Sequence, residues 1–308
     1  MNKIKINVLK LSCACIFGCL FFSKTTISDN IKSSKLAIFA TLTKNGKPIA
    51  NNIYWRVFVI TKAATANINN KINLKNFKEV DHSSDAKPIF NLNTGDYYVQ
   101  CSFGRISAIK NIHISAQKSI NTSINLNAGA LEMKAIVVNG SIKENKLNFA
   151  IYSDESENER YSLINKIKKP GVVVPLKSGF YHLVSSYGNV NAIKRANVKV
   201  TAGEISQITF KHEAAQATLR LLRNVNGQAL ADTKWIIRDA SGDIVFQKNG
   251  AYATPILTHG NYVALAQNKK KLYQKDFSIE SGKDITIDVL TTDKSHFKVN
   301  KSDALETD

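Results

Sequence analysis

Cysteine is almost absent from the body of this chain. Of its four cysteines, Cys13, Cys15 and Cys19 fall within the first 19 residues, and only Cys101 lies beyond them. A single thiol excludes an intrachain disulfide framework. Proline is also rare, at five residues in 308, and no Pro-rich or Gly/Ser-rich tract marks a flexible linker. Long hydrophobic runs are missing too. The most apolar stretch, Leu11 to Phe22, has 12 residues, too few to span a bilayer as a helix.

That stretch follows Lys3, Lys5 and Lys10 and precedes the small residues Thr25, Thr26 and Ser28. The order of charge, apolar core and small residues predicts a signal peptide over 1–28, cleaved near Ser28, and export of the rest to the periplasm or the outer-membrane or cell surface. No transmembrane helix is expected after cleavage. A lipoprotein reading would use Cys19, after Ile16-Phe17-Gly18, but bulky Phe17 fits such a site poorly.

Negative charge is in deficit, with 24 Asp and Glu against 42 Lys and Arg, a formal net charge of +18. Such a balance attracts polyanions. The lysines are spread through an Asn- and Ile-rich sequence, so no nucleic-acid partner is expected. An envelope protein or an anionic glycan or glycolipid is the expected class.

Catalytic and metal signatures are missing as well. His82, His113, His182, His212, His259 and His296 have no metal-ligand spacing, and His212-Glu213 lacks the second histidine of a zinc helix. No Gly-x-Ser-x-Gly elbow, phosphate loop or dinucleotide fingerprint occurs. The chain is read as a non-enzyme without a cofactor.

What is present is a repeat of about 80 residues carrying three markers in constant order. Asn45-Gly46, Asn139-Gly140 and Asn226-Gly227 follow alternating apolar stretches and predict hairpins. Trp55, Phe149 and Trp235 follow eight or nine residues later and predict central strands with these rings inward, although exposed tryptophans would suit a sugar. Leu-x-x-Gly-x-Tyr then recurs with Leu92, Leu176 and Leu257, Gly95, Gly179 and Gly260, and Tyr97, Tyr181 and Tyr262. In antiparallel sandwiches, a tyrosine just after a corner returns its hydroxyl to the backbone a few residues upstream, and the three tyrosines are assigned that task. Cys101 falls in an inward slot that the other repeats fill with Ser185 and Ala266.

The predicted architecture is all-β, three tandem antiparallel Greek-key sandwiches after the signal segment. The boundaries fall at 29–129, 130–213 and 214–291, with a polar tail over 292–308. Short joints such as "NAGALEM" predict modules that touch.

The repeats differ in their loops. The first carries a basic insertion, "TKAATANINNKINLKN" (61–76), and the second an acidic loop, "SDESENER" (153–160), whose Asp154, Glu155, Glu157 and Glu159 lack calcium-loop spacing. In the third, Lys269, Lys270, Lys271 and Lys275 flank Tyr273 and form the candidate polyanion contact.

On the Asn-Gly, aromatic and Leu-x-x-Gly-x-Tyr markers, the units resemble the transthyretin-like or carboxypeptidase regulatory-like class of Ig-related sandwich. With its "YWRVF", "GDYYVQCSFG" and "FYHLVSSYG" segments, the chain is also similar to exported alphaproteobacterial proteins built from such repeats. The resemblance implies fold and export and brings no active site. The function expected is a non-enzymatic exported binding or scaffolding protein; the alternative is a module for carbohydrate or anionic envelope polymer.

Overall fold

The computed structural model describes residues 33–61, 72–155 and 160–292. The expected signal segment with Cys19, most of the first-module insertion, the tip of the acidic loop and nearly all of the polar tail lie outside the described residues.

The chain is all-β, and alternation builds it. In β1 (Ser33–Thr41), Leu36, Ile38 and Ala40 are buried while Lys35 is exposed, so one face of the strand enters a core. The first module continues through β2 (Ile53–Val59), β3 (Lys78–Ser83), β4 (Ile89–Asn93), β5 (Gly95–Phe103), β6 (Ile106–Ile114) and β7 (Ile120–Asn125). Sheet β4-β1-β7 faces sheet β3-β2-β5-β6 across a core centred on Trp55, Val57, Val99 and Leu36.

The second module repeats the plan with β8 (Ala128–Val137), β9 (Leu147–Glu155), β10 (Arg160–Ile167), β11 (Val173–Lys177), β12 (Gly179–Tyr187), β13 (Ile193–Val200) and β14 (Ile205–His212). Its sheets are β11-β8-β14 and β10-β9-β12-β13. The third uses β15 (Ala214–Leu222), β16 (Thr233–Asp239), β17 (Ile244–Asn249), β18 (Tyr252–Ala253), β19 (Ile256–Thr258), β20 (Gly260–Asn268), β21 (Lys271–Ile279) and β22 (Ile285–Leu290). Here Thr254-Pro255 splits the short edge strand into β18 and β19. In every module the first and last strands pair parallel, β1 with β7, β8 with β14 and β15 with β22, within otherwise antiparallel sheets.

The Asn-Gly pairs differ from the expected hairpins. Asn45, Asn139 and Asn226 take positive φ (65°, 61° and 64°), yet the flanking strands lie in opposite sheets, and an isolated bridge such as Thr41 to Pro48 ties only the first strand to the connection. The aromatic strand that follows is central to the facing sheet, so the turn must carry the chain across the core rather than fold it back. Local turn chemistry is indifferent to that choice.

The Leu-x-x-Gly-x-Tyr segments make the return crossing. Leu92, Leu176 and Leu257 end up buried in the sheet that holds each module's first strand, and the glycines open the next strand in the other sheet with φ of 152°, 156° and 152°. The tyrosine hydroxyls then donate to carbonyls four residues upstream: Tyr97 to Asn93 (3.0 Å), Tyr181 to Lys177 (2.8 Å) and Tyr262 to Thr258 (2.9 Å).

The modules dock through a repeated joint. The turn before the last strand carries Gln117, Gly203 or Gly282 at equivalent positions, all with positive φ (59°, 81° and 76°). Gly203 presses on Thr43 of the first module, where a β-carbon would lie 2.8 Å from Cγ2. Gly282 presses on Asn139 and Gly140 of the second, where a β-carbon would lie within 2.6 Å of backbone atoms. Around this second joint, Ser281 donates to the Val138 carbonyl (2.7 Å), Lys143 pairs with Asp284 (2.6 Å), and Asn191 holds the Tyr262 hydroxyl (3.0 Å) and the Thr258 amide (3.0 Å). At the equivalent turn of the first module the residue is Gln117, which no described residue of another module contacts in this way.

Two outcomes check these assignments. Tyr181→Phe retains the fold and loses about 1 kcal/mol in denaturant titration, the worth of one hydrogen bond; an unchanged midpoint removes the corner bond from the stability account. Gly282→Ala meets backbone in a left-handed conformation and costs about 2 kcal/mol or more, whereas Gln117→Ala changes stability by less than about 0.5 kcal/mol. Equal effects would show that the joint is not tightly docked.

Candidate functional site

The marker rings are core groups. Trp55 and Trp235 are fully buried, and their indole N–H groups donate to the carbonyls of Asp85 and Gly250, both at 3.0 Å. Each ring lies opposite a small residue on the neighbouring strand: Trp55 across from Cys101, Trp235 from Ala266 and Phe149 from Ser185. Large against small fills the layer at native density. Sugar stacking on these rings is therefore closed off. Burial also pushes the Cys101 thiol up to about 12, which keeps it protonated at neutral pH and unreactive.

The second module holds a polar pair that the sequence reading missed. Ser185 Oγ lies 2.8 Å from His212 Nε2, both residues are fully buried, and Nδ1 of His212 has no hydrogen-bond partner. A serine beside a histidine is half of a nucleophile–base arrangement. No substrate reaches this one, because it lies between sheets beneath Tyr187, whose ring is 5.9 Å from the imidazole. The signal was present in the inward phase of His212, two residues after Phe210 on β14.

Desolvation, assisted by nearby Lys194, depresses the His212 pKa from 6.5 to about 4. The folded state thus favours neutral imidazole. Above pH 6.5 the residue is neutral folded or unfolded and the linkage term vanishes; below it, the unfolded chain takes up a proton first and stability falls until about pH 4. The expected loss across that window is about 3 kcal/mol. Urea titrations of wild type and His212→Asn between pH 7 and 4 check it: the variant lacks this slope, and parallel curves would refute the assignment.

Of the candidate polyanion residues, Lys269, Lys270 and Lys271 gather at the tip of the β20–β21 hairpin, with Lys269 at φ 57°. Tyr273 does not join them; it turns inward opposite Ala266 and is 9% exposed. Lys275 lies further along β21, opposite Ala264. By period-two alternation Tyr273 shares its side of β21 with Lys271 and Lys275, but its ring is packed into the core whereas both lysines are exposed.

An open depression of about 400 Å³ on the third module is lined by Asp239, Asn261, Tyr262, Val263, Asp276 and Phe277. Its two carboxylates act locally. Asp239 accepts the amides of Ser241 (3.0 Å) and Asp243 (3.1 Å) to close its own turn, and Asp276 accepts from Gln274 (3.3 Å). Among the described residues, no group of three or more His, Cys, Asp or Glu is placed to hold a metal ion, and no helix is long and apolar enough to cross a membrane.

Comparison with known proteins gives a partial family match. The model of the Rhizobiales growth-associated tandem repeat domain matches residues 216–291, which span the third module from within β15 to just past β22. No curated protein matches the chain. Among solved structures, the chain is similar to the TIE protein of Bacillus anthracis (16% identity, 86% of this chain and 51% of that one, TM-score 0.25). It is also similar to GBS52, the minor pilin of Streptococcus agalactiae (14%, 58% and 95%, TM-score 0.35), and to BcpA, the major pilin subunit of Bacillus cereus (10%, 84% and 99%, TM-score 0.25). The chain thus spans about half the length of the TIE protein.

Proposed function

We propose that this protein is an exported, non-enzymatic scaffold of the bacterial envelope, whose three docked sandwiches present sheet faces, edges and loops to an envelope protein or an anionic glycan. The carrying observation is the repeated joint, in which a close-packed turn of each later module seats on the module before it and fixes their relative positions. Fixed modules make a ruler or a display surface. Filled cores support the non-enzymatic reading, since the largest rings and the buried Ser185–His212 pair lie where no substrate enters. The expected signal segment supports export to the periplasm or the cell surface.

The repeat-domain match places the third module beside a family named for growth of Rhizobiales, and growth of the envelope is the setting we assign to the scaffold. The finer grouping with transthyretin-like sandwiches is part of the same reading, supported by the three corner tyrosines.

The test is affinity capture from an envelope extract on the immobilised chain, eluted by a salt gradient. Saturable retention of an envelope protein or glycan supports the reading. Retention no different from that on a single unrelated sandwich of matched charge overturns it.

A further inference from the structure

The outer faces of sheets β3-β2-β5-β6, β10-β9-β12-β13 and β17-β16-β20-β21 are not alike. In the first module this face is roofed by its own chain. Phe77, just after a short 3-10 turn at Leu74–Asn76, packs edge-on against Tyr98 (5.0 Å, 87°), Arg56 lies over the Phe58 ring (4.7 Å), and Phe58 is 1% exposed. Its polar groups are partnered within the face, Arg56 with Glu79 and His113 with Asp96. In the third module Asp276 stands opposite Val263 on the equivalent face.

Among the described residues the second module has no such roof. The positions of Phe58 and Tyr98 are taken by Tyr152 and His182, whose rings sit 6.3 Å apart on adjacent strands, and the position of Asp96 is taken by Phe180, which is 62% exposed. Cross-strand rows place Lys199 beside Phe180, Asn197 beside His182, Leu163 beside Tyr152, and Arg195 and Lys166 on the row of Val184 and Ala150. The Lys199 ammonium lies 5.8 Å from the Phe180 ring centre. Lys166, Arg195 and Lys199 make no ion pair among the described residues, and no described acidic side chain shares the face.

We propose that the outer face of sheet β10-β9-β12-β13 binds an acidic glycan, its sugar rings lying on Phe180, Tyr152 and His182 and its carboxylates or phosphates meeting Lys199, Arg195 and Lys166. Cations without an ion pair among the described residues, on both edge strands, call for a polyanion rather than a neutral chain. Flat rings beside Asn197, with Asn148 and Ser186 on a further row of the same face, suit a ligand that offers both an apolar face and hydroxyls. A protein partner would be expected to meet an apolar centre depleted of charge, whereas here cations flank the rings. Four strands set the edge cations roughly 14 Å apart, room for a few sugar rings. The proposal rests on the scaffold reading and supplies the ligand class for one of its faces.

Isothermal titration of the full chain with oligogalacturonate, a neutral cello-oligosaccharide and poly-glutamate tests it. The expected result is saturable binding of the uronate alone, weakened steeply by salt, and reduced tenfold or more in Phe180→Ala and in Arg195→Ala/Lys199→Ala with unchanged melting temperatures. Replacing Lys269, Lys270 and Lys271 together by Ala leaves it intact. No uronate binding, equal binding of poly-glutamate, or loss only in the hairpin variant overturns the proposal. If envelope capture still succeeds after any of these, the glycan assignment fails and the scaffold stands; if capture fails as well, both fall.

Discussion

One hydrogen bond, made three times, organises each module: a tyrosine hydroxyl donating to the carbonyl four residues before it. A sandwich needs its chain to leave one sheet and enter the other without stranding backbone polar groups in the crossing. The Leu-x-x-Gly-x-Tyr segment does this by burying leucine on the departing side, letting glycine take a φ near 150°, and tying tyrosine back across the bend. The ring then belongs to the same core as the marker aromatics, so the corner sets the position of the central strand and the small residue opposite each large ring. That pairing explains why Cys101, Ser185 and Ala266 occupy one slot despite their different chemistry.

The parts legible in the sequence were those written locally. Corner residues lie within six positions of one another, and period-two alternation put Trp55, Phe149 and Trp235 inward without knowledge of their partners. Arrangements set by register were not legible. An Asn-Gly pair declares a turn but not which sheet receives the next strand, so the expected hairpins became crossings. Gly203 and Gly282 read as ordinary turn glycines until the preceding module is seen against them. Tyr152, Phe180 and His182 come from two strands nearly thirty residues apart, and only the β9–β12 register brings them to one face.

Difference between modules is therefore as informative as repetition. The first module uses chain length to roof its outer sheet face, the described residues of the second leave the equivalent face open and basic, and the third gathers Lys269, Lys270 and Lys271 at a hairpin tip. A shared frame tolerates such divergence because outward positions of a sheet are decoupled from the core that specifies the fold.

The parallel pairing of first and last strands has a mechanical consequence. Where a module's entry and exit strands lie side by side and run the same way, tension along the chain pulls them in opposite directions along their common axis. The six bridged residue pairs of β1 with β7 and of β15 with β22, and the eight of β8 with β14, would then be loaded in shear, all together. An antiparallel hairpin pulled from its open end parts one rung at a time. A chain of three such clasps in series is suited to bear load between two anchored points, and the ladder of eight in the middle module is the longest of the three.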